Sequence, residues 1–200
     1  MVEASGALRD RWVMLKPAAA YRLLAQQPVR KGAWLGWRKL LLVAFVLGCS
    51  MSLIASASLT LRLAGSAAIY WSFVPLAEIA ALAPLGWRKK PQRSFPQTVD
   101  LFLAGHGPWL FWLIGLCTIW SFMPPIQAFT CTNLWLYGAA PIVIGWSAYI
   151  DFCFFRFVLR RNPMEAGRDL VLQRLFSWTL IVGVFGWPAI PPALAAKFGP

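Results

Sequence analysis

The chain has 200 residues, 59% of them hydrophobic and 13% charged, with a formal net charge of +12 and a mean hydropathy of +0.60. Ordinary soluble domains are about half apolar and a quarter charged, so this balance excludes that class. The positive excess is interleaved with long apolar stretches, so membrane topology and anionic inner-leaflet lipid account for it, and nucleic acid is not an expected partner.

In chain order, the arm 1–39 comes first and holds two helix-like pieces. Leu8, Trp12 and Leu15 recur at helical spacing among Arg9, Arg11 and Lys16. Pro17 then stands where a new helix can start, and Tyr21, Leu24 and Ala25 repeat the spacing before Pro28. Basic amphipathic pieces beside a bilayer lie in the headgroup plane, so a membrane-hugging arm is expected, with docking of a soluble partner as the alternative. Trp34 and Trp37, set among Arg30, Lys31, Arg38 and Lys39, read as an interfacial anchor. No cleavable signal peptide is visible, and the first apolar run, from Leu40, is expected to act as an uncleaved signal anchor.

Five apolar stretches follow: Leu40–Leu61, Leu63–Trp87, Leu101–Met123, Leu134–Leu159 and Leu175–Ala196. At 1.5 Å per residue each can cross ~30 Å of hydrocarbon, making 40–200 a single transmembrane domain. Basic residues cluster before the first stretch, after the second (Arg88, Lys89, Lys90, Arg93), and at or after the end of the fourth (Arg156, Arg160, Arg161, Arg168, Arg174). Of the 19 Lys and Arg, only Arg62 and Lys197 fall in the other gaps. The positive-inside rule then predicts an all-α polytopic protein with five transmembrane helices, N-terminus in and C-terminus out.

In the first span Gly48, Ser52 and Ser56, continued by Thr60, fall on one face and predict a close helix-packing seam, within the monomer before between monomers. Arg62–Gly65 reads as a short outer turn that folds spans one and two into a hairpin. Gly105-His106-Gly107-Pro108 interrupts the third span. Either the whole stretch crosses with a kink, or Phe95–Ala104 is a separate segment on the inner surface. After the fourth span, Asn162, Pro163 and Glu165 form a helix start, so the fifth span extends inward through Arg168, Asp169 and Arg174. Its outer end breaks at Pro188, Pro191 and Pro192.

Ionisable side chains inside the apolar stretches are few: Glu78, His106, Asp151 and Arg156. Counted along helices from Arg88 and Arg160, Glu78 and Asp151 sit ~13–15 Å from the inner boundary, and His106 up to ~20 Å. The three can therefore share one layer. Intramembrane charge is costly and suggests function, here proton or cation passage, while hydrogen-bonded interhelical glue is the plainer reading. Arg156 can reach the inner surface along its own stem. Cys49, Cys117, Cys131 and Cys153 are scattered singly, so lone buried thiols are expected and a Cys117–Cys131 disulfide is the alternative. One His and two acids on three spans have no diagnostic metal spacing. No nucleophile–base pair, zinc helix or phosphate loop is present, so catalytic residues, cofactors and a resident metal are not expected, and neither is an enzyme. The twelve Trp residues read as interface and packing groups, with Trp71 at an interface and Trp109 and Trp178 in packing.

The segment Leu15-Lys16-Pro17-Ala18-Ala19-Ala20-Tyr21-Arg22-Leu23-Leu24-Ala25-Gln26-Gln27-Pro28 resembles the pre-membrane segment of bacterial members of the Yip (Ypt/Rab-interacting protein) family. The five-span plan, and Ser94-Phe95-Pro96-Gln97-Thr98 leading into a span broken at Pro108, resemble that family too. The resemblance implies a non-enzymatic membrane scaffold or adaptor in the bacterial cytoplasmic (inner) membrane, touching anionic lipid and a membrane or cytoplasmic protein. The acidic motif of the eukaryotic arm is absent here, so no GTPase-binding residue carries over. The alternatives from the residues themselves are a small proton- or cation-coupled permease or channel component, or an accessory subunit of a larger membrane complex.

Overall fold

The computed structural model describes residues 6–26, 34–56, 60–87, 93–121 and 138–186, and among these there is no strand. The arm forms α1 (Gly6–Leu15) and α2 (Pro17–Gln26), with Pro17 at the expected start. Next come α3 (Trp34–Ser56), α4 (Leu61–Trp71), α5 (Phe73–Trp87), α6 (Phe95–Leu103), a 3₁₀ turn at Ala104–His106, and α7 (Gly107–Ser121). The last two are α8 (Ala140–Cys153), which widens into a π turn at Phe154–Val158, and α9 (Pro163–Gly186). Three described stretches are long and apolar enough to cross a membrane: Leu61–Gly86, Phe95–Ile119 and Ala140–Val158.

Local chemistry sets the ends and breaks of these helices. Thr60 caps α4, its side chain accepting from the Leu63 N–H at 3.2 Å. That places Arg62–Gly65 inside the helix and corrects the expectation of a turn there. Pro75 has no N–H to offer the Trp71 carbonyl, and the chain loosens at Ser72, whose hydroxyl donates to the Ile69 carbonyl at 2.6 Å. At α6 the Ser94 N–H donates to Gln97 Oε1 at 3.2 Å. Pro108 likewise deprives the Ala104 carbonyl of its donor, and the helix tightens at Ala104–His106 instead of ending. The third stretch is thus continuous helix with a tightened turn, and as a whole it is long and apolar enough to cross a membrane. Asn162 and Glu165 cap α9 reciprocally, at 2.7 Å and 3.1 Å, as expected from the sequence.

The antiparallel hairpin of α3 and α4 is very close: a Cβ on Gly48 would overlap the Ala68 backbone. Ser52 is buried on the same face, and the Cys117 thiol of α7 donates to the Ser50 carbonyl at 3.3 Å. The expected seam is therefore present at Gly48 and Ser52, inside the monomer. The side chains of Ser56, Trp34 and Trp37 lie outside the described ones, as do residues 187–200 and Cys131 with its disulfide alternative.

The arm differs most from expectation. It does not simply lie along the surface: Val13, Ala20, Tyr21 and Leu24 are buried in one core with Leu101, Phe102, Ile150, Phe154 and Phe155. The Tyr21 hydroxyl donates to the Leu101 carbonyl at 3.1 Å, and the ring meets Phe154 edge-on at 5.9 Å. Trp146 Nε1 donates to the Met14 carbonyl at 2.9 Å, and the Met14 side chain fills the space that a Cβ on Gly107 would need. Arg93 ties down the other end of α2 through the Leu24 carbonyl at 2.5 Å.

Candidate functional site

Three sequence candidates converge. Glu78 on α5 pairs with His106 Nε2 at the tightened turn. Asp151 on α8 pairs with Arg174 on α9, and Arg174 also donates to the Ser147 hydroxyl at 3.0 Å. The two pairs form one network, because Glu78, His106 and Arg174 line the same cavity and Arg174 joins them to Asp151. The Phe102 ring stands edge-on to His106 at 5.2 Å, while His106 Nδ1 is buried with no hydrogen-bond partner.

The close approach depends on small residues nearby. A Cβ on Gly105 would crowd Ile150 at 2.8 Å and the Tyr21 hydroxyl at 3.3 Å. Gly105 therefore lets the third rod settle against α8, and His106 follows it into the Asp151 layer. The other described buried carboxylates lie nearer the basic ends of the helices. Asp100 meets Lys39 at 3.2 Å, and Asp169 meets Arg161 at 3.0 Å. Arg161 also donates to the Leu85 carbonyl at 2.6 Å, held in place by the left-handed turn at Arg160, φ 52°. Arg156, expected to reach the inner surface, donates to the Arg161 carbonyl at 3.1 Å.

Glu78, His106 and Arg174 line one end of a cavity of about 290 Å³ between α3, α5, α7 and α9. Its remaining wall is apolar, chiefly Trp71, Trp109 and Trp178 with Val43, Leu47 and Ile181. Trp71 is stacked on Phe185 at 4.9 Å, which pins the end of α4 to α9. Trp178, on this wall, is 54% exposed. An apolar, aromatic pocket with a few converging polar groups is the usual form of a small-molecule site. No group of three His, Cys, Asp or Glu among the described residues is disposed to hold a metal ion.

Sequence reasoning missed Arg174 and the role of the tryptophans. Arg174 had been placed with the inner basic residues because it precedes the apolar run from Leu175. The overlooked signal was the helix start at Pro163: eleven residues of α-helix lift Arg174 by ~16 Å, to the depth of Asp151. Trp71, Trp109 and Trp178 lie on three different elements, so their convergence leaves no local pattern.

No family model, curated protein or solved structure matches the chain.

Proposed function

We propose that this is a five-span, non-enzymatic integral membrane protein that acts as a small permease, taking a solute into the tryptophan-lined cavity under control of the Glu78–His106–Asp151–Arg174 network. The five spans are α3, α4 with α5, α6 with α7, α8 with its π turn, and α9, arranged N-in and C-out in a bacterial inner membrane. Supporting the plan are the three stretches above, the 23-residue length of α3 and the 24-residue length of α9, and the one-sided distribution of basic residues. One observation carries the functional reading: a buried ionic network presents three of its four members, Glu78, His106 and Arg174, to an apolar cavity, where interhelical glue alone needs no space beside it.

Reconstituted protein with an entrapped pH-sensitive dye tests the reading. The expected result is gradient-driven, pH-dependent passage that Glu78→Gln and Asp151→Asn each abolish. Passage unchanged in both variants removes the network from the mechanism. Reporter fusions at the two termini test the topology, with an inside N-terminus and an outside C-terminus expected.

A scaffold or adaptor of Yip type is the second reading. It is favoured by the outward face of the arm, where Arg11, Lys16 and Arg22 are exposed beside Trp12, Leu15 and Leu23. Basic and apolar groups side by side suit an anionic inner leaflet and a protein partner docked on it.

A further inference from the structure

The buried charges do not balance, and the imbalance is local. Asp100 is closed by Lys39 and Asp169 by Arg161, each carboxylate facing a permanent cation. In the central network two carboxylates, Glu78 from α5 and Asp151 from α8, share one permanent cation, Arg174 from α9. The fourth member, His106, completes the neutralisation only when it carries a second proton. Among the described residues Glu78 and Asp151 make no other ion pair, and α3 contributes only the apolar Val43 and Leu47 to the adjoining wall. With His106 neutral the network therefore carries one net negative charge, beside a cavity whose other walls are indole and aliphatic.

We infer that the cavity takes a lipophilic organic monocation, which replaces the second proton of His106 as the charge that neutralises Glu78. This rests on the permease reading and names its substrate class. The charge of Arg174 is already matched by carboxylates, with Nη2 engaging Asp151 and Ser147, so an anionic headgroup would add to the negative excess. A cation meets an unbalanced carboxylate and a wall carrying Trp71, Trp109 and Trp178, the aromatic side chain best suited to a positive charge. The proton that competes with it lodges on Nδ1, the ring nitrogen without a partner. The exchange breaks no covalent bond in the ligand: one proton leaves Nδ1 as one monocation arrives, and the reverse.

Binding to purified protein in detergent, with no gradient, tests this separately from passage. The probes are phenyltrimethylammonium, its uncharged isostere tert-butylbenzene, and benzenesulfonate, read by tryptophan fluorescence. Only the ammonium is expected to bind well, its affinity rising about tenfold per pH unit while one proton is exchanged for one cation. Glu78→Gln is expected to weaken it by about tenfold or more. His106→Gln, which fixes the net negative charge, is expected to flatten the pH profile. Equal binding of tert-butylbenzene, or preference for the sulfonate, overturns the cation assignment and leaves the cavity reading standing. Failure of all three probes overturns both. Cation binding without passage keeps this inference and sinks the permease.

Discussion

At the scale of single residues, the buried polar groups of this chain are unequal in what they contribute. Asp151 is 3% exposed and holds the part-buried Arg174, so Asp151→Asn removes a charge-assisted bond from that guanidinium and leaves Glu78 as its counter-charge. Its loss is expected to destabilise by about 2 kcal/mol, visible as a lower melting point in detergent, with part restored in the double variant Asp151→Asn/Arg174→Gln. Gln173 is the opposite case: it is fully buried, and neither amide atom has a partner. Gln173→Met is expected to raise the melting point, by about 1 kcal/mol, because an unsatisfied amide is replaced by apolar volume. Glu78, His106 and Asp151 were legible in the sequence because each interrupts an apolar stretch. Arg174 was not, because a charge at the edge of a stretch looks like the boundary it adjoins.

At the scale of elements, helix ends were legible and helix contacts were only partly so. Asn162, Pro163 and Glu165 define a start by local hydrogen bonding, and Pro108 marks a break through its missing donor. Whether that break ends the helix depends on what packs around it, which no local pattern encodes. The seam of α3 was legible because small residues at a four-residue spacing have one main use within a membrane. Two glycines separate packing from propensity. Gly48→Ala is expected to lower stability by about 1–3 kcal/mol, since its methyl group would enter the Ala68 backbone. Gly65→Ala, with nothing within 4 Å of the new Cβ, is expected to be neutral or slightly stabilising. Thermal unfolding of the two variants side by side reads the difference.

At the scale of the whole molecule, the fold combines two kinds of interior. The half nearer the basic helix ends has a continuous apolar core built partly by the arm, with Val13 and Tyr21 fully buried. The other half leaves large apolar side chains such as Leu61, Ile69 and Val182 outward, as lipid contact requires. Composition and charge asymmetry made the membrane class plain. The burial of the arm was not legible, because the same amphipathic spacing serves a helix lying on lipid or one packed on protein. Deleting residues 1–26 is therefore expected to abolish recovery of monodisperse protein, since Leu101, Phe102 and Phe154 would lose their cover. Tyr21→Phe, which removes the hydroxyl that bonds to Leu101, is expected to cost about 1 kcal/mol and leave the protein monodisperse.

The hydrogen bonds of that arm also set a timetable for biogenesis. Tyr21 bonds to a residue 80 positions later, and Met14 is held by one 132 positions later. The arm leaves the ribosome before the elements it docks on, and its docking surfaces at Leu101, Trp146 and Phe154 are not complete until the fourth stretch has been made. Throughout that interval the apolar side chains of the nascent arm have only lipid or a chaperone to cover them. A segment made before its partners must wait for them to find its place.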